Sequence, residues 1–429
     1  MELAPFQKEG RDFLASREVA LLADQMRLGK TAQAIAAADK IGAKRILVVC
    51  PSTAKITWQR EFAKWSDRDR SIQIVYGTDA TICSGAEIVI INYDLIWRPE
   101  IKKQLLKLKF SVAMVDECHL LAGRNSKRTK AMLHSNLRTP LLSVCVYKWF
   151  ISGTPLLNRP LDMYPIFASC APEVIAPYKS YKAYTRHFCG GYWDGIQWVD
   201  KGATHMKELG KRLDTFMLRR LRADVLGEIP PNFQIIPIEA KGSTVKTYVA
   251  EELKWEKGDA DYQNLDEGEY IATVRRELGL YKIPVALKYI RHVLTTEDKL
   301  VVFAYHREVL QELHKAIDNS VLLYGGMTPS VKQNAIDAFK DDPDCKVFIG
   351  QITAAGVAID LSSANNILFV ESSWVPGEID QASDRCSGFN QDLEVRAQFM
   401  VIEDSLEEHM LRTVIEKKNT IGKIVDRKD

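Results

Sequence analysis

The chain alternates short, near-continuous apolar runs with segments of helix length. The runs read VALLA (19–23), RILVVC (45–50), EIVII (87–91), SVAMV (111–115) and KWFIS (148–152). After a long interval the rhythm returns with KLVVFAY (299–305), SVLLY (320–324), CKVFIG (345–350), NILFV (366–370) and AQFMVI (397–402). A strand buried on one face alternates apolar with polar side chains, whereas a strand covered by helices on both faces has no polar side to show. β-Branched runs separated by helices therefore predict parallel sheets. The recurrence of the set predicts two doubly wound α/β lobes with helical insertions between them.

The interval, roughly 156–296, has another texture. Aromatic and charged residues mix, VKTYVAEELKWE (245–256) has helical spacing, and a polar acidic stretch, GDADYQNLDEGE, follows it. This reads as helical insertions plus an interlobe link, with a boundary near Pro230-Pro231, since paired prolines end regular structure. The expected division is 1–229, with an insertion at about 156–225, and 230–429, with a helical lead-in at about 240–296. SLEEHMLRTVIEKKNTIGKIV (405–425) has helical spacing and is expected to pack back on the second core.

Composition narrows this picture only a little. A chain of 429 residues suits two domains better than one core. With 46% hydrophobic and 27% charged residues it falls in the ordinary globular range. No apolar run approaches a membrane span, and the N-terminus lacks the basic-then-apolar order of a signal peptide. Eight scattered cysteines form no CxxC, which argues against a disulfide framework or zinc site and fits a reducing cytosol. The expected location is a bacterial or viral-host cytosol rather than a nucleus. A net charge of +2 neither demands nor excludes nucleic acid, because a basic groove can sit on a neutral surface.

The candidate chemistry lies at the ends of the apolar runs. In VALLADQMRLGKTAQAIAAADKI (19–41) a buried run enters a loop, Asp24 to Thr31, and an alanine-rich helix follows. Backbone N–H groups around Leu28 and Gly29 can cradle phosphate, Lys30 can reach the outer phosphates, and the Thr31 hydroxyl can bind magnesium. In SVAMVDECHLL (111–121) the strand delivers Asp116 and Glu117 at its carboxyl end. Asp116 can hold Mg²⁺ through water and Glu117 can orient the attacking water, although an acidic pair also suits a helix start. WFISGTPLLN (149–158) ends a strand in a turn. In WVPGEIDQASDRCSGFNQ (374–391), Gln381 and Arg385 are four apart and share a helical face. In a two-lobed ATP-driven motor that face would meet ATP bound to the opposite lobe, with Arg385 sensing the γ-phosphate.

Taken in order, these segments resemble a superfamily-two helicase of the Swi/Snf type, most similar to the compact annealing-helicase branch, from Phe6 to about Gln391. FQKEG (6–10) matches the Q motif, in which Gln7 would read adenine. DQMRLGKT (24–31) is similar to DEMGLGKT, with Gln25 for glutamate and Arg27 for glycine. VVCPSTAKITWQREFAKW (48–65) resembles the segment lining the DNA path, and INYDLI, DECH and SGTPLLN follow in the expected order. FMLRRLRADVLGEIPP (216–231) is the most family-specific string, and RHFCGGYW (186–193) points to the annealing-helicase branch. The resemblance implies a DNA-stimulated ATPase using ATP and Mg²⁺, which translocates on double-stranded DNA, forked or branched included, without processive strand separation. It further implies a monomeric motor, recruited by a protein partner or by DNA shape. Its implied DNA contacts are Ser52, Lys55, Trp58 and Asn92 in lobe one, and His306, Gly326 and Thr353 in lobe two. Trp58 and Trp65 would equally serve as core.

Several departures bear on activity. Ala358 and Asp360 alter the fifth motif modestly. The family's last motif carries a second arginine where this chain has Gly388. An arginine finger contributes on the order of 10³-fold or more in rate, and glycine supplies no charge. Another group takes that role, or Arg385 suffices, or the chain is an ATP-gated DNA-binding clamp with little turnover.

Overall fold

A computed structural model describes residues 2–133, 139–154, 159–226, 232–256, 265–355, 359–373, 375–387, 394–405, 407–408 and 411. These fall into two compact units, one within Met1–Glu228 and one within Ile229–Glu416.

Unit one is built on a parallel sheet. Its strands are β1 (Val19–Leu22), β2 (Ile46–Cys50), β3 (Ile72–Ile74), β4 (Ile88–Asn92), β5 (Phe110–Asp116) and β6 (Cys145–Ile151). After a small antiparallel hairpin, β7 (Tyr192–Trp193) and β8 (Trp198–Val199), the two-residue β9 (Met217–Leu218) returns to the sheet. The spatial order is β3-β4-β2-β5-β6-β1-β9. Strands β2 and β4 are buried at every position, as their unbroken apolar runs require, and Lys30–Lys40 and Lys55–Trp65 are among the helices that follow strands.

Unit two repeats the plan with β10 (Asn232–Ile238), β11 (Leu300–Ala304), β12 (Ser320–Leu323), β13 (Val347–Gln351), β14 (Asn366–Phe369) and β15 (Arg396–Ile402). Their order is β10-β15-β14-β11-β13-β12, again all parallel. Two doubly wound sheets are thus observed, with the helices Ser243–Glu256 and Leu265–Val293 leading into the second.

The stretch 156–296 is not only helical. It also holds the β7–β8 hairpin, β9 and β10, and β10 tolerates Pro237 because an edge strand needs no donor on its open side. Pro155, Pro230-Pro231, Ala358, Gly388 and most of the expected helix at 405–425 lie outside the described residues. Among the described residues, no helix is long and apolar enough to cross a membrane.

Candidate functional site

The carboxyl edge of the first sheet gathers three of the sequence segments. After β1 the chain passes Asp24 and turns through Arg27 (φ 68°) and Gly29 (φ 70°) into the helix Lys30–Lys40. A Cβ on Gly29 would lie 2.3 Å from Gln7 Nε2, so glycine answers both a left-handed backbone and a close approach. Arg27 holds the same left-handed conformation without glycine's freedom. Gln7 closes over the loop, its Nε2 donating to Leu28 O at 3.3 Å.

Lys30 Nζ donates to Asp24 O (2.8 Å) and Gln25 O (3.2 Å). Burial pulls its pKa down, while Glu117 and Asp24 pull it back up. Gly153 of the Ser-Gly-Thr turn lies against it, since a Cβ there would come within 3.2 Å of Lys30 Nζ.

Asp116 ends β5. Its Oδ2 accepts from Trp58 Nε1 at 2.8 Å, its Oδ1 from Glu117 N at 3.0 Å, and its carbonyl from the Tyr93 hydroxyl at 2.5 Å. Burial pushes its carboxyl up to about 7, aided by the adjacent Glu117 and opposed by the Trp58 hydrogen bond and Lys30. Glu117 sits in the left-handed region (φ 50°) and its Oε2 accepts from Ser152 Oγ at 3.2 Å. His119 Nδ1 lies 3.0 Å from the same Ser152 oxygen, and burial drives its pKa down to about 4, so its ring is neutral near pH 7. Ser152 therefore joins the third segment to the acidic pair.

Three arginines missed as site residues brace this edge. Arg219 Nη1 donates to Ala23 O and Gly153 O, both at 2.7 Å. Arg220 grips the Asp24 carboxylate, and Arg222 donates its backbone N–H to Gln25 Oε1 at 2.9 Å. The signal was present in FMLRRLRADVL, whose three arginines follow β9 beside β1. Asp24 is thereby engaged by protein partners, Gln33 Nε2 included at 3.1 Å.

The remaining candidates are distributed as follows. Ser52 is exposed and Asn92 is buried at the end of β4. Lys55 and Trp58 point inward, 2% and 1% exposed, with Lys55 Nζ donating to Val75 O at 2.7 Å. In this arrangement neither offers its polar end to a surface ligand. Thr31 is half-buried in the first turn of its helix.

In unit two, His306, Gly326 and Thr353 follow β11, β12 and β13, and their loops are tied together. Arg307 Nη2 donates to Gly325 O (2.7 Å), Gln351 Oε1 accepts from Gly325 N (2.9 Å), and Gln351 Nε2 donates to Tyr305 O (3.1 Å). Glu371 is buried beneath them, accepting from Tyr305 N and His306 N at 2.9 Å and meeting His306 Nδ1 at 2.6 Å. Gln381 lies on the helix Pro376–Ser383 with Arg385 just beyond its end, and both are buried.

Comparison with known proteins gives two domain matches: the SNF2-related domain over residues 6–274 and the helicase conserved C-terminal domain over 284–388. The mouse protein "DNA annealing helicase and endonuclease ZRANB3" is 28% identical over 439 residues, covering 98% of this chain and 40% of that protein. In Xenopus tropicalis, "SWI/SNF-related matrix-associated actin-dependent regulator of chromatin subfamily A-like protein 1" is 30% identical over 433 residues, covering 98% and 44%. The chain thus spans 40–44% of the length of these two relatives. A solved structure, "Sulfolobus solfataricus SWI2/SNF2 ATPase core in complex with dsDNA", aligns with a TM-score of 0.46 at 20% identity, covering 100% of this chain and 94% of that one.

Proposed function

The chain belongs to the SNF2-related family, and from that membership we propose that it is an ATP-driven translocase on double-stranded DNA, remodelling branched DNA or displacing bound proteins. One observation carries the reading. The Lys30 loop, the Asp116–Glu117 pair and Ser152 meet at one sheet edge, where a lysine, two carboxylates and a glycine-dependent turn can receive a nucleoside triphosphate.

The residues fit ATP and a magnesium ion. Burial and the Glu117 charge raise the Asp116 carboxyl, and the charge of a bound cation would favour its ionised form against both. Asp116 and the Thr31 hydroxyl would hold that ion, which when bound neutralises phosphate charge. Lys30 would meet the outer phosphates, Gln7 the adenine, and backbone N–H groups at Leu28 and Gly29 the inner phosphates. Glu117, held by Ser152, would orient the attacking water. Gln381 and Arg385 of unit two are the further catalytic residues of this reading. Duplex phosphates would be met by Ser52, Asn92, His306, Gly326 and Thr353, giving strong salt dependence and little sequence preference. The motor would act as a monomer, with forked DNA or a protein partner directing it.

The test is ATP turnover against duplex DNA. Strong stimulation by duplex, abolished by Lys30→Ala and by Glu117→Gln, supports the reading. DNA-independent turnover, or stimulation by RNA alone, contradicts it. Gly388 favours a second reading, the ATP-gated clamp, and Gly388→Arg separates the two: a gain of several orders of magnitude means the chain as it stands is the clamp.

A further inference from the structure

The β7–β8 hairpin plays no part in the nucleotide site, yet among the described residues it carries the two most exposed large apolar groups of unit one, Trp193 and Ile196, with Tyr192 beside them. Tyr192 is 56% exposed, Trp193 62% and Ile196 at the tip 86%. Three large apolar groups exposed within five residues of one hairpin suit an interaction surface, with the two rings on its opposite faces.

The hairpin is held firmly from below. Asp194 Oδ1 accepts from the backbone N–H groups of Ile196 (2.8 Å) and Gln197 (2.7 Å), and Gly195 takes the turn's φ of 105°. Trp198 Nε1 donates to Thr185 Oγ1 at 3.0 Å on the helix Tyr181–Phe188. Gly191 N donates to Thr185 O at 2.9 Å, Gly202 N to Cys189 O at 3.0 Å, and Thr204 N to Phe188 O at 2.8 Å. The legs are fixed to the protein, with the Tyr192 and Trp193 rings exposed on the outgoing leg and Ile196 exposed at the tip.

Cationic side chains stand around the hairpin, among acidic ones that include Asp162, Asp200 and Glu208. Lys182 and Arg186 lie 5.9 and 5.7 Å from the Trp198 ring, and Lys201 and Lys207 are exposed nearby in sequence. Asp200 accepts from the Tyr181 hydroxyl at 2.5 Å, and Arg159 faces both Asp200 at 3.9 Å and Asp162 at 4.0 Å, so a phosphate would compete with these carboxylates for it. Tyr181 also lines a cleft of about 490 Å³ that holds Arg124 and Arg159, with the Arg124 guanidinium 4.2 Å above its ring. The cleft and the hairpin therefore share one foot.

Rigid exposed rings beside arginines and lysines suit a ligand with flat faces and a phosphate backbone. Intact duplex hides its base faces, whereas unpaired bases offer them. We propose that this hairpin binds unpaired DNA bases at a junction, with Tyr192 and Trp193 stacking on bases and Arg124 and Arg159 holding the backbone. The proposal deepens the duplex-translocase reading and rests on it.

The test uses the full chain and fluorescence anisotropy with three labelled DNAs: a blunt duplex, a fork with unpaired arms, and the same fork with abasic arms. Stacking on even one base predicts a fork preference of about five-fold or more over the blunt duplex. That preference should vanish with abasic arms and in the Tyr192→Ala/Trp193→Ala double variant, with blunt-duplex affinity unchanged. Trp193→Phe should keep it. The proposal is overturned if the double variant still prefers the fork, if abasic arms bind as well as intact ones, or if blunt-duplex affinity falls equally. It is also overturned if the variant changes only the sedimentation of the chain, since a second copy would then be the occupant. Failure of the translocase reading looks different: duplex DNA would leave wild-type ATP turnover unchanged while the fork preference persists.

Discussion

Arg220 holds the carboxylate of Asp24, 196 residues away in the chain, through two nitrogens at 3.0 and 2.5 Å. Asp24 is fully buried where β1 gives way to the phosphate loop, so this pair fastens the start of that loop to the string after β9. Removing one partner of a buried ion pair leaves an uncompensated charge and typically costs about 3–5 kcal/mol. Arg220→Ala should therefore lower unfolding free energy by that order and weaken ATP binding, read by denaturant titration and nucleotide affinity. A loss below about 1 kcal/mol would put the pair in the class of surface ion pairs.

Gly29 offers a cleaner separation of backbone from space. Gly29→Ala faces a positive φ and a clash with Gln7 Nε2 at 2.3 Å. The left-handed backbone alone costs on the order of 1–3 kcal/mol. Adding Gln7→Ala should recover the steric part of the lost stability and leave the backbone part, measured as a double-mutant cycle. Full recovery would show that glycine is there for room alone.

Trp58 decides between two roles. Its indole donates to Asp116 and is almost fully buried, which suits positioning of a carboxylate better than contact with DNA. Trp58→Phe should reduce maximal ATP turnover while leaving duplex affinity within about two-fold, since loss of a hydrogen bond to a charged group amounts to about 1.5–3 kcal/mol. A fall in duplex affinity with unchanged turnover would return Trp58 to the DNA path.

His119 gives a pH signature. Its folded pKa, depressed by burial to about 4, lies below the unfolded value of about 6.5, so the unfolded chain takes up the proton first. Its contribution is present above about pH 6.5 and is lost as pH falls towards 4. Asp116, raised to about 7, acts in the opposite direction, favouring the folded state as pH falls. The difference between wild type and His119→Asn isolates the histidine: the wild type should lose stability relative to the variant between pH 7 and 5 in thermal unfolding without nucleotide. Parallel pH profiles would mean that His119 takes up its proton in the folded chain as readily as in the unfolded one.

All ten apolar runs named from the sequence became parallel strands, because covering both faces leaves a signal that needs no partner to be read. The strands overlooked were those without such a signal. Ile72–Ile74 is three half-buried residues at an edge, Met217–Leu218 is two, and Asn232–Ile238 follows a proline pair and carries Pro237. The phosphate loop and acidic pair were legible because each sits at a strand end. The bracing roles of Arg219, Arg220 and Arg222 were not, since they depend on β9 lying beside β1, a pairing two residues long. Trp58 was recognised, but its partner across β2 and β5 could not be seen in a string of letters.

If ATP turnover drives movement along duplex DNA, the moving chain must strip a third strand from a triplex in its path. The wild-type chain with ATP and magnesium should release the third strand, and Lys30→Ala should release none. Duplex-stimulated ATP hydrolysis that leaves the triplex intact, with Gly388 in place and equally with Gly388→Arg, would contradict such movement.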